Sequence, residues 1–103
     1  MNNLLELYAR CGKTLLDIGI NEAALPISKI DEAINLFKKN NLLILGGDVY
    51  KKGSEGGFEF IYASWSYDSN DIQESILVAR DYLEKFKEQD FYVVFVIKLL
   101  NHK

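Results

Sequence analysis

At 103 residues, 49% hydrophobic and 26% charged with a single proline, the chain has a globular balance that excludes disorder and holds one core in one domain, 1–103. No apolar run approaches the ~18 residues of a membrane span. The opening Met1-Asn2-Asn3-Leu4 lacks the basic region and cleavage site of a signal peptide. Together with the lone Cys11, which has no partner for an internal disulfide, this reads as a cytoplasmic protein. The formal charge of −3 is unevenly spread: residues 1–45 sum to zero and 76–103 to +1, while 46–75 sum to −4. That acidity argues against nucleic acid, whose binders need a basic footprint. It suits a basic protein partner, or simply a solvated face.

In chain order, Leu4, Leu5, Leu7, Tyr8, Cys11, Leu15 and Leu16 repeat at three and four residues, which predicts one apolar stripe on a helix ending near Gly19. Gly12-Lys13-Thr14 matches the tail of a phosphate-binding loop, but Leu7 stands where its first glycine belongs and no strand is predicted before it. A nucleotide site is therefore rejected. Cys11 on that stripe reads as a small core residue, since the one histidine, His102, is near the far terminus. Residues 21–27 read as a connection. Ser28 and Asp31 suggest a capping box opening a helix to about Asn40, with Ile30, Ile34 and Phe37 on its buried face.

Residues 42–45 are apolar without alternation, as in a strand buried on both faces. Gly46 and Gly47 then predict a bulge or a close approach of backbone, after which Val49 and Tyr50 resume the strand. Asp48 is either a local turn carboxylate or a surface acceptor for a partner's Arg or Lys. A polar, glycine-rich hairpin loop over 51–57 leads to an alternating strand. Phe58, Phe60 and Tyr62 point one way on it, and Glu59, Ile61, Ala63, Trp65 and Tyr67 the other. One of these faces packs on the helices; the other, with Trp65 and Tyr67 flanked by Glu59 and Asp68, leaves rings near the surface and is the best binding-site candidate, because Trp and Tyr favour protein interfaces. For Trp65 taken alone, a core position is the plainer reading. Stacking of bases is disfavoured, because the interleaved charges are acidic.

From Ser69 or Asn70 the period returns to helix, with Ile72, Ile76, Ala79, Leu83 and Phe86 on one side, and the β-branched and aromatic run 91–97 predicts a final buried strand. One histidine without neighbouring ligands makes no metal site, and no cofactor is expected. The elements predict an α+β fold, a small, mainly antiparallel three-stranded sheet with about three helices packed on one face. The direction of the last pairing is left open.

Leu45-Gly46-Gly47-Asp48-Val49-Tyr50, then an aromatic strand with Trp65 and Tyr67-Asp68, then Ala79-Arg80-Asp81-Tyr82-Leu83 and an apolar strand, resembles the Imm40 family of bacterial immunity proteins from about Ala24 onward. The resemblance implies a cytoplasmic antidote to a polymorphic toxin, acting by stoichiometric binding of the toxin domain. On that reading Asp48, Glu59 and Asp68 pair the cations of a basic toxin surface while Tyr50, Trp65 and Tyr67 cover it, with Gly46 and Gly47 shaping the strand. Two alternatives stand beside it. One is a small-ligand-binding or regulatory domain with a pocket at the glycine kink. The other is an enzyme pairing Asp48 with Glu59 or Asp68, for which the sequence shows no catalytic apparatus.

Overall fold

The computed structural model describes residues 2–15, 20–53, 57–87 and 90–100. Along the chain run α1 (Asn2–Cys11), β1 (Lys13–Leu15), β2 (Ile20–Pro26), a 3₁₀ turn (Ile27–Lys29), α2 (Ile30–Lys39), β3 (Leu42–Lys52), β4 (Phe58–Ser66), α3 (Ile72–Leu83), a second 3₁₀ turn (Glu84–Phe86) and β5 (Phe91–Leu99). The strands form one curled sheet in the order β1-β2-β5-β3-β4, with every registered pair antiparallel. The α+β class with three helices holds, but the three-stranded sheet is corrected to five strands.

The two additional strands lie where the sequence suggested a helix tail and a connection. Gly12 closes α1: its amide donates to the Tyr8 carbonyl at 2.8 Å, and a Cβ there would come within 2.5 Å of that same oxygen. The helical spacing from Cys11 to Leu15 is therefore coincidental, and Leu15 is fully buried from a strand, opposite the helices. A three-residue strand is too short for its alternation to be read. The expected helix end at Gly19, the stripe residue Leu16, the loop tip 54–56 and the tail bearing His102 lie outside the described residues.

The last pairing follows from the crossover. Strand β4 returns antiparallel to β3, and α3 carries the chain past β3 to its other edge. There β5 runs parallel to β4 and hence antiparallel to its neighbour β3. The capping box at Ser28 and Asp31 does not form. Lys29 occupies the N-cap of α2 without a side-chain bond, and Asp31 instead accepts from Arg80 of α3 at 2.9 Å. At α3 a cap does form, with Asp71 Oδ1 accepting from the Glu74 amide at 3.0 Å.

All three helices share one apolar cluster with the sheet. Leu4 and Leu7 of α1, Ala33, Ile34 and Phe37 of α2, and Ile76, Ala79 and Leu83 of α3 meet Ile44, Val49, Val93 and Phe95. Phe37 meets Phe95 edge-to-face with centroids 5.1 Å apart, a geometry that adds about 0.5–1.5 kcal/mol to area burial. Ser75, buried on α3, anchors the helix to β3. Its hydroxyl donates to Ile72 O at 2.7 Å and accepts from the Ile44 amide at 3.3 Å, beside the point where the β3–β5 register shifts between Ile44 and Gly46.

Candidate functional site: the helix-free face of the sheet

Cross-strand partners share a face, so the register sorts the side chains of the three central strands. Gly47, Trp65 and Phe95 oppose one another on the helix side. Asp48, Ser64 and Val94 form the next row, on the other side, and Tyr50, Phe60 and Tyr92 a further row of that same face. Here a smaller cluster of Leu15, Ala24, Tyr50, Phe58 and Val94 forms without any helix.

Trp65 belongs to the covered side. Its indole stacks on Tyr82 of α3 at 5.3 Å and meets Phe95 edge-on at 6.0 Å. The ring also lies over Gly47, where an added Cβ would sit 2.5 Å from Trp65 Cη2 and 2.7 Å from the Val94 carbonyl. Gly46 adopts φ +151°, and a Cβ there would collide with the Trp65 carbonyl oxygen. The space beside the glycines is thus filled by indole, and none of the described clefts is lined by Gly46 or Gly47. Trp65 Nε1 is buried with no hydrogen-bond partner among the described residues.

The other face presents a graded aromatic ladder. Tyr50, Phe60 and Tyr62 step outward with centroids 5.4 and 5.1 Å apart, and their exposure rises from 5% through 38% to 89%. A shift in the β3–β4 register produces the outermost rung. Val49 faces Ala63 while Tyr50 faces Phe60, so Ile61 and Tyr62 are additional on β4, and Tyr62 takes the left-handed φ of 59°. Half-buried Asp48 lies one row away, flanked by Ser64. Burial, then the charges of Asp48 and Glu22, raise the Tyr50 pKa above its ordinary value. Among the described residues neither carboxylate enters an ion pair. Exposed Lys52 lies at the hairpin end of β3, about 13 Å along the strand from Asp48 at the usual strand rise.

The residues singled out in the sequence therefore separate. Asp48 and Tyr50 lie together on the helix-free face. Glu59 pairs across from Lys51, whose other neighbour, Phe91, belongs to the helix-side cluster. Tyr67 Oη donates to Glu74 Oε1 at 2.8 Å and accepts from the Asp71 amide at 3.3 Å, which holds it at the start of α3. Burial and this bond to Glu74 raise the Tyr67 pKa. Asp68 is exposed in the loop just before α3. Asp48 and Glu59 face opposite sides of the sheet, so they form no carboxylate pair. Phe60 and Tyr62 were passed over because alternation told which side chains share a face without telling which face the helices cover.

Among the described residues the architecture is that of a small α+β protein with one sheet face closed by helices and the other free of them, and no helix is long and apolar enough to cross a membrane. A family model, Immunity protein 40 (Imm40), matches residues 14–97, and the chain belongs to that family. The match begins about ten residues before the resemblance seen from Ala24, and so takes in most of β1 and all of β2. Comparison with curated proteins and with solved structures finds no match.

Proposed function

We propose that this chain is a cytoplasmic immunity protein that neutralises a cognate polymorphic-toxin domain by direct stoichiometric binding, and that the helix-free face makes the contact. The observation that carries this reading is Asp48, without an ion pair among the described residues, beside a ladder of increasingly exposed aromatics. Rings bring large contact area at little rotamer cost, and an unpaired carboxylate steers a basic partner. Charge then governs chiefly the association rate, and the rings govern dissociation. The reading is one of binding rather than catalysis. The small-ligand alternative loses the pocket it needed, since indole fills the space beside Gly47.

Co-expression with the C-terminal domain of the polypeptide encoded immediately upstream tests this by host survival and co-purification. Rescue with a stable complex is expected. Rescue without a complex would return the question to catalysis, and neither rescue nor complex would remove this partner. Within the complex, Asp48→Lys should slow association about tenfold at low ionic strength and much less in high salt. An unchanged rate at low salt would take Asp48 out of the contact.

A further inference from the structure

The geometry points to Tyr62 as the anchor of that contact, a ring held out from the fold to enter an apolar pocket flanked by Arg or Lys on a basic protein partner. This rests on the reading above that a protein toxin binds the helix-free face.

Tyr62 carries a conformational cost without a return inside the monomer. A bulky residue in the left-handed region is a genuine outlier, strained by the crowding of its Cβ against the backbone. Tyr62 adopts φ 59° and leaves its side chain 89% exposed, with a neighbouring ring, Phe60, as its aromatic contact. Glycine would hold the same backbone with no such strain. A bulge on the outer strand β4 also blunts an exposed sheet edge, but any residue tolerant of this φ would serve that purpose. The tyrosine ring is what remains unexplained, and a ring contributes most when a partner buries it.

The surroundings of Tyr62 hold its ring ready for a partner. Phe60 and, behind it, buried Tyr50 support the ring from within, so it is aimed before any partner arrives and little motion is lost on binding. Ser64 follows it on β4 with a small exposed hydroxyl, and Asp48, across from Ser64, enters no ion pair among the described residues. A ring over a shelf with a free carboxylate at its side is complementary to an apolar pocket rimmed by a cation. Asp48 and Glu22, whose charges both act on Tyr50 beneath this ladder, favour a basic partner over a second copy of this acidic chain.

The test is Tyr62→Gly in the full chain, titrated against the same upstream-encoded C-terminal domain beside wild type, with thermal melts and sedimentation of each protein alone. The expected result is a loss of affinity of about 30-fold or more, with Tm unchanged or raised because the strain is relieved. Tyr62→Phe should keep affinity within about tenfold of wild type. Equal binding by wild type and Tyr62→Gly overturns the anchor and leaves the proposed function standing. Failure of wild type to bind overturns both. A Tm lowered by more than about 4 °C assigns the ring to the fold and overturns the anchor. A wild-type dimer that Tyr62→Gly dissociates overturns the basic partner in favour of self-association.

Discussion

The two faces of the central sheet both carry aromatics and hold them in opposite ways. On one, Trp65 is clamped between Tyr82, Phe95 and the bare backbone of Gly47. On the other, Tyr50, Phe60 and Tyr62 climb from core to solvent with no helix above them. The comparison teaches that an aromatic strand is a candidate interface only where nothing else in the chain packs over it. Coverage and the bulge decide this, and residue type does not.

Substitutions on the covered face should therefore lower stability. The largest effect is expected from Gly47→Ala. Its methyl must displace both the indole and the Val94 carbonyl, and backbone cannot yield as a flexible side chain can. A loss of about 3 kcal/mol is expected, read as a fall in the urea midpoint with an unchanged slope. A loss under about 1 kcal/mol would mean that the indole is not clamped.

Trp65→Ala should come next, at about 2–3 kcal/mol for a ring only partly buried. Trp65→Phe should lose less than about 1.5 kcal/mol, because it keeps a ring and removes the orphaned Nε1 donor. If Trp65→Ala were neutral in stability and instead abolished complex formation, the assignment of the two faces would be reversed.

The effect that is smallest at neutral pH appears only in alkali. Tyr8, packed on the covered side, has its pKa pushed up to about 12 by burial. Because the folded-state value lies above the ordinary one, the unfolded chain loses this proton first. The contribution is complete below pH ~10 and is lost as pH rises through about 12, a fall of up to about 2–3 kcal/mol. Tyr8→Phe should flatten that part of the stability profile and leave neutral pH nearly untouched. Equal slopes for both proteins between pH 10 and 12 would place the hydroxyl in water.

Much of this was legible from periodicity. Ile30, Ile34 and Phe37 on α2, and Ile76, Ala79 and Leu83 on α3, are buried where their spacing put them. The division of β4 side chains between two faces also survives, since a shift of two residues preserves the alternation. Strand β1 was not legible, because three residues carry no period and Gly12 ends a helix whose apolar spacing continues by chance, and β2, Ile20–Pro26, lacks strict apolar–polar alternation. Nor was the candidate site. Asp48 and Tyr50 lie on the helix-free face, whereas Trp65 and Tyr67 are held against α3.

What the sequence alone determined was local: which residues repeat at helical or strand spacing, where the acidity lies, and which family the Gly46-Gly47-Asp48 segment resembles. These depend on side-chain periods and composition, which any short window of the chain contains. The tertiary structure alone decided which sheet face the helices close, that α3 passes β3 to set β5 antiparallel beside it, and that the β4 bulge turns Tyr62 outward. Those outcomes depend on contacts between segments far apart in the chain. Burial is a property of what lands on a residue, and no residue carries that information in its own neighbourhood.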